Sequence, residues 1–305
     1  MRVLVAGLGV QGYKRREHAG KDYIASVDPA NMEAEYRKIQ DVPLDTYDAV
    51  LACIPDAPKI ELVNYCLNNK KHVLVEKPLW TENDQQIKGL EKLARQNQMV
   101  CYTAYNHRFE PHFIKMRDLI ETGSLGKIYS CRMFYGNGTA RLVRDSIWRD
   151  QEAGVLTDLG SHLLDTCRFW FGDNLAAFEL LSANRFENKS PDHVVIGTSN
   201  QSQPRIELEM TLCMWRNHFT CDILAQNGTA HIESLCKWGP STFIHRTRVL
   251  PSGRPQEIKV TLTQSDPTWT SEYDHFKSLV KSKVSSDLST DYWLQSNLRL
   301  LGEGI

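Results

Sequence analysis

Arg2-Val3-Leu4-Val5-Ala6 runs without a linker into Gly7-Leu8-Gly9-Val10-Gln11-Gly12, and no other stretch restricts the fold as much. A short continuous run of β-favouring residues reads as a buried parallel strand. Glycines at the first, third and sixth places permit a tight turn at Gly7, close approach of the backbone to a bound group at Gly9, and tight helix–strand packing at Gly12. Residues 13–19 then read as a helix stopped by Gly20. A second strand over 23–27 delivers Asp28 about 20 residues past the first glycine, where an acid can accept from ribose hydroxyls. Strand, loop, helix and acid in register predict a dinucleotide site built on Gly7, Gly9, Val10, Gln11, Gly12 and Asp28. The competing reading of Asp28 is a turn residue before Pro29. NAD is expected over NADP, because a carboxylate repels a 2′-phosphate and no arginine follows at once. Lys14-Arg15-Arg16 reads as the exposed face of the first helix.

Beyond a lean stretch at 29–47, strands and helices alternate. Residues 31–36 suggest a helical turn or two and 37–42 an edge strand. Strands over 48–54, 72–76 and 99–105 are separated by helices over 57–69 and 82–97, and a further helix spans 111–122. Such alternation calls for right-handed βαβ units and a parallel sheet. The strand His72-Val73-Leu74-Val75 ends abruptly in Glu76-Lys77-Pro78, so a charged pair is delivered to the sheet's carboxyl end, where open α/β sheets bind ligands. After Gly126 the texture changes to strand-like runs at 127–135, 177–185, 193–199, 206–214, 218–225, 229–234, 243–250 and 257–262, with one helix at 153–171 and closing helices at 269–280 and 292–301. Turn signals such as Gln226-Asn227-Gly228 separate them. The expected fold is therefore α/β plus α+β: a Rossmann doubly wound parallel sheet over 1–123, then a mainly antiparallel, open-faced sheet domain with helices over 124–305, with a cleft between them.

A net charge of −1 on 305 residues gives no electrostatic footprint for nucleic acid or an anionic membrane. Eight cysteines without a C-x-x-C pair suggest reduced thiols in a cytoplasmic protein, and the histidines lack metal-ligand spacing. Met1 leads straight into a strand, no signal peptide is evident and no apolar run approaches membrane-spanning length. The three Asn-x-Ser/Thr sequons are then chance matches.

Asp158 and His162 lie four apart in Gly154-Val155-Leu156-Thr157-Asp158-Leu159-Gly160-Ser161-His162, so an α-helix would place them on one face within about 6 Å. A histidine beside a carboxylate can accept a proton from an alcohol; the plainer alternative is a structural pair. Arg141, Arg144, Trp148 and Arg149 precede this helix and could hold a phosphate and a ring, or simply form a loop.

Together, the glycine loop, Glu76-Lys77-Pro78, Asn106-His107-Arg108-Phe109 and Asp158-x-x-x-His162 resemble the Gfo/Idh/MocA family of glucose–fructose and inositol dehydrogenase type, in order through the first 172 residues. The resemblance implies an NAD-dependent oxidoreductase acting on a secondary hydroxyl of a sugar or nucleotide sugar. It implies that Lys77 bonds the reacting hydroxyl, His162 takes its proton and Asp158 orients the substrate or the histidine. It also implies that His107 and Arg108 line the nicotinamide side, while Ile54, Pro55, Glu76, Lys77 and Asn106 contact the cofactor. Trp148, Arg149, His107, Arg108, Asp158 and His162 form the expected substrate set, and Lys77-Pro78 is a candidate cis peptide. Two departures stand out: 29–47 lacks the family's longer helix, and Ala153-Gly154 replaces a pair of glycines. An NAD-assisted glycosidase of the same fold and a non-catalytic NAD-dependent sensor are the alternatives. A homodimer or homotetramer through the second domain's sheet is expected.

Overall fold

The computed structural model describes residues 1–305 except 147, 148, 152 and 200. By its contacts the chain divides into two compact units, 1–106 with 268–296 and 107–267 with 297–305. This division falls at 106/107 rather than 123/124, and it returns a helical segment to the first unit.

The first unit runs β1 (Val3–Ala6), α1 (Val10–Ala19), β2 (Tyr23–Val27), β3 (Ala49–Ala52), α2 (Asp56–Asn68), β4 (His72–Glu76), α3 (Asp84–Gln96) and β5 (Cys101–Ala104). The five strands pair in parallel in the order β2-β1-β3-β4-β5. The chain winds outward to β2 and then jumps back past β1 to β3, so the switch point lies just beyond β1, where the glycine loop sits. β1 and β3 are buried along their whole length, as unbroken apolar tetrads should be. One face of the sheet is closed by Val63, Cys66 and Leu67 of α2 and Ile87, Leu90 and Ala94 of α3. Ala19 of α1 helps close the other, with Tyr273 and Phe276 from α7 (Thr268–Lys281).

Beyond β2, the lean segment forms neither the expected helical turns at 31–36 nor a strand at 37–42. It touches β2 at one bridge, Val27 to Tyr36, and continues as two 3₁₀ turns, Ile39–Asp41 and Leu44–Thr46. Glu35 covers the sheet edge instead: its carboxylate accepts from the Ser26 amide at 2.8 Å, the Ser26 hydroxyl at 2.6 Å and the Tyr23 hydroxyl. An edge amide that a further strand would have paired is satisfied by a side chain.

The second unit contains α4 (Pro111–Glu121), β6 (Ile128–Gly136), α5 (Ala140–Arg144), α6 (Ser161–Phe171) and seven further strands. These are β7 (Phe178–Asn184), β8 (His193–Thr198), β9 (Arg205–Thr211), β10 (His218–Ala225), β11 (Gly228–Glu233), β12 (Ser241–Thr247) and β13 (Gln256–Leu262). They form one eight-stranded sheet, β13-β12-β11-β10-β6-β9-β8-β7, antiparallel at every pair but β6–β9. Burial alternates along β6 and β10: Cys131, Met133, Phe219, Cys221 and Ile223 point inward, while Arg132, Asp222 and Leu224 point outward. A final helix, α8 (Ser289–Gly302), closes the chain.

The helix anticipated over 153–171 is not one regular α-helix. Its first turn, Leu156–Gly160, is a π-turn, and α6 follows from Ser161.

Candidate functional site

In the first unit the parallel strands deliver their last residues to one edge. β1 runs into the glycine loop, β2 into Asp28 and β4 into Lys77, while β3 and β5 end just before Ile54-Pro55 and Asn106. The three loop glycines differ in what they permit. Gly7 has φ +89°, and a Cβ there would meet the Cys53 carbonyl oxygen at 2.4 Å; one on Gly12 would lie 1.8 Å from the Gly7 oxygen. A Cβ on Gly9 would meet nothing within 4 Å, so the loop is tight on its protein side and open at Gly9. α1 begins at Val10 with no side-chain cap, leaving its first-turn amides available to an anion. That open cradle, with Asp28 beside it, fits a dinucleotide pyrophosphate and ribose.

Asp28 is held as well as holding. One carboxylate oxygen accepts from the Leu8 amide at 2.7 Å, the other from Ala30 and Asn31 at 2.8 Å. Burial pushes this carboxyl up, but the amides of Asn31, Leu8 and Ala30 outweigh it and the pKa is lowered. The arginine absent just after Asp28 arrives nine residues on. Arg37 Nη1 donates to the Asp28 and Asn31 carbonyls at 3.1 and 2.5 Å and adds its charge beside Asp28. Asn106 Nδ2 donates to the Thr268 hydroxyl at 2.9 Å.

At the β4 end the Lys77-Pro78 peptide is cis. The Glu76 carboxylate accepts from Arg15 Nε at 2.7 Å, and Arg15, 1% exposed, also pairs with Glu272 at 2.7 Å under the Trp269 ring. Lys59, 2% exposed, donates to the Glu76 and Pro78 carbonyls. Sequence reasoning assigned Arg15 to a solvated face and passed over Lys59 and Glu272. The usable signal was a helix whose Gly12 and Ala19 are buried, since Arg15 lies between them on the same side.

In the second unit the His107 and His162 rings stack with centroids 4.0 Å apart and planes at 18°. Tyr135 lies edge-on to both, at 5.4 and 6.0 Å. Burial raises the Tyr135 pKa, and the charges of Asp158, Glu110 and Asp266 add to it. Asp158 lies on the π-turn, 3.5 Å from Arg149, and its side chain is 39% exposed. Gly154 makes this start possible: its φ is +52°, and a Cβ would lie 2.2 Å from the Pro191 oxygen. The π-turn carries an i→i+5 pattern common at functional sites, so the four-residue spacing of Asp158 and His162 is not that of an α-helix.

Arg108 is less available than a ligand-binding arginine would be. Its Nε donates to both oxygens of Asp165, at 3.1 and 3.0 Å, and Asp165 is 1% exposed. Burial raises the Asp165 carboxyl, opposed by Arg108, so the guanidinium's main partner here is an internal charge. Asp165 lies seven residues after Asp158, two helical turns, which is the spacing that could have flagged it. Glu110, buried at 2% exposure, is raised to about 7, chiefly by burial, against the Cys236 amide that donates to it at 3.1 Å. Arg144 pairs with Asp145. Trp148 lies outside the described residues. Among the described residues no cluster could hold a metal ion, and no helix is long and apolar enough to cross a membrane.

A glycine loop at the switch point of a parallel sheet, with an acid closing β2, defines an NAD-binding Rossmann domain. The family model for the NAD-binding Rossmann fold of the oxidoreductase family matches residues 13–105, and the Gfo/Idh/MocA C-terminal domain matches 113–231. The chain belongs to the Gfo/Idh/MocA oxidoreductase family. It is 30% identical over 128 residues to a myo-inositol 2-dehydrogenase of Thermotoga maritima, a match covering 42% of this chain and 37% of that one. Against an inositol 2-dehydrogenase of Mycolicibacterium smegmatis it is 24% identical over 255 residues, 76% of this chain and 72% of the relative. The matched stretches thus span from under two fifths to about seven tenths of these relatives. In fold it is similar to a levoglucosan dehydrogenase solved with NADH and L-sorbose (TM-score 0.83, 16% identity, 100% and 97% of the two chains). It is equally similar to the UDP-N-acetylglucosamine 3-dehydrogenase GnnA of Acidithiobacillus ferrooxidans (0.82, 14%, 100% and 97%). At such identities the likeness shows the fold alone.

Proposed function

We propose that this protein is an NAD-dependent dehydrogenase interconverting a secondary hydroxyl and a ketone on a sugar, cyclic polyol or nucleotide sugar. The observation that carries the reading is the common edge of the first unit's sheet. The same parallel geometry that opens the loop at Gly9 presents Lys77 at the end of β4. Bound NAD supplies the hydride acceptor. The chain's own residues position the substrate and move its proton. Lys77 donates to the oxygen of the reacting hydroxyl and favours its alkoxide character. His162 accepts the proton, with the stacked His107 fixing the plane of its ring, and Asp158, paired with Arg149, orients substrate or imidazole. Inositol, levoglucosan and UDP-N-acetylglucosamine dehydrogenases among the relatives and fold neighbours support the hydroxyl-bearing ring as substrate class. Self-assembly through the open sheet face and a cytoplasmic site of action complete the proposal.

The test is to follow nicotinamide absorbance with NAD across myo-inositol, free hexoses and nucleotide sugars. Accumulating NADH with one member of that panel is the expected result. Sugar release with no net NADH would replace the dehydrogenase by a redox-assisted glycosidase.

A further inference from the structure

Lys59 is a lysine that water does not reach, and its three N–H bonds are all used. Nζ donates to the Asp56 carboxylate at 2.5 Å, the Glu76 carbonyl at 3.0 Å and the Pro78 carbonyl at 2.8 Å. A buried ammonium is costly, and one that only filled space would be replaced to advantage by an apolar side chain. Its two backbone partners belong to the residues immediately before and after Lys77. A single compact cation therefore ties both ends of the peptide segment that carries the Lys77 side chain. A guanidinium, planar and forked, could not meet three convergent acceptors in this way.

The side chain preceding Lys77 is tied independently. Arg15 on α1 donates to the Glu76 carboxylate at 2.7 Å, and a second arm of its guanidinium pairs with Glu272, which is 0% exposed. The Trp269 ring lies 4.4 Å from the guanidinium carbon and shields this arrangement. Asp56, Lys59, Glu76, Arg15 and Glu272 form a chain of alternating charge that passes through the end of β4. All five lie within the first unit, and the anchored segment is the one that presents Lys77.

We propose that Lys59 and Arg15 are positioning residues for Lys77: Lys59 fixes the backbone on both sides of it and Arg15 fixes the side chain before it. The importance of Lys77 rests on the function proposed above, but its placement by Lys59 does not. Lys59→Met keeps the bulk and removes all three donors; Lys59→Gln returns a neutral donor group and serves if the methionine variant does not fold. In crystals of either variant the Glu76–Pro78 segment and Lys77 Nζ are expected to move by about 1 Å, with the Gly7–Gly12 loop in place. NAD affinity, by equilibrium titration, is expected to stay within about threefold. With the panel substrate that turns over best, kcat is expected to fall about 10–100-fold in Lys59→Met with KM little changed, and to recover in part in Lys59→Gln. An unmoved Glu76–Pro78 segment in Lys59→Met or Lys59→Gln overturns the positioning role. So does a loss of NAD affinity as large as the loss of turnover, which marks a general structural role. Lys77→Ala, run alongside, separates the two claims: full turnover there removes Lys77 from the proposed chemistry, while the crystal comparison still decides what Lys59 does.

Discussion

Lys77 and His162 are the residues on which the proposed chemistry stands, and each makes a separate demand. Lys77→Ala and His162→Ala should each lower kcat by about 10²–10⁴ with NAD affinity nearly unchanged, and the double variant should fall far short of the product. Near-normal turnover of folded His162→Ala in steady-state assays would place the proton acceptor elsewhere. In the proposed function Asp28 sets the cofactor preference, through a carboxylate that also accepts from three amides. Asp28→Ser should therefore cut the NAD-over-NADP affinity ratio by about tenfold, by removing the repulsion while leaving Arg37 in place. Parallel titrations of both cofactors read this directly, and an unchanged ratio would mean that the carboxylate does not face the 2′ position. Glu110 makes a prediction about pH. Its pKa is raised to about 7 in the fold, above the ordinary value of about 4.3, so between those values the folded protein holds a proton that the unfolded chain has lost. Its contribution is complete below pH of about 4 and is lost as pH rises through about 7, in total about 3 kcal/mol. Glu110→Gln, unfolded by urea across that range, should gain stability relative to the parent as pH rises; a constant difference would show that Glu110 does not carry the proton. The placement of Gly7, Asp28 and Lys77 at one sheet edge was legible because each belongs to a local pattern of strand end or turn. Arg15, Lys59, Asp165 and Glu110 were harder to read, since each has a defining partner 17 to 257 residues away, and the helical spacing that Arg15 and Asp165 do carry does not name that partner.

Elements that were anticipated as regular turn out to be shaped by single residues. The π-turn at Leu156–Gly160 is entered through Gly154, two residues before it, whose positive φ and closeness to the Pro191 oxygen leave no room for a side chain. Gly154→Ala should cost at least about 2 kcal/mol, seen as a lower midpoint in thermal unfolding, and should lower turnover by displacing Asp158. A variant that melts like the parent would show that the backbone there relaxes without strain. The four-residue spacing of Asp158 and His162 suggested a regular α-helix because hydrophobic period cannot separate 3.6 residues per turn from one widened turn. The edge of β2 went unread for a related reason. Glu35 satisfies an amide there by a side-chain contact, which leaves no alternation in the sequence, whereas β1, β3 and β4 were evident from their unbroken apolar runs.

For the whole molecule, linear order was a good guide to the two kinds of sheet and a poor one to the last helices. α7 follows all eight strands of the second sheet in the chain, yet Tyr273 and Phe276 pack on the parallel sheet, because amphipathic periodicity says that a helix has an apolar face and not which sheet receives it. The eight-stranded sheet raises the question of assembly. Helix packing accounts for one face; the other carries Arg132, Asp222, His231 and Glu207 together with the half-exposed Leu224, at 51%. A solvated face is tolerable for an antiparallel sheet, so its polar character alone decides nothing. Leucine at an outward position, next to last in β10, is harder to account for in a monomer, since it forgoes burial worth about 1.5 kcal/mol or more. If a second copy covers this face, light scattering should give a dimer or tetramer, and the melting temperature should rise with protein concentration. Leu224→Glu should then shift the mass toward monomer, because a two-fold interface would place the new charges near one another in a desolvated setting. The first unit's affinity for NAD should be untouched. A parent protein that is monomeric at working concentration, with a melting temperature independent of concentration, would instead leave this sheet face to water.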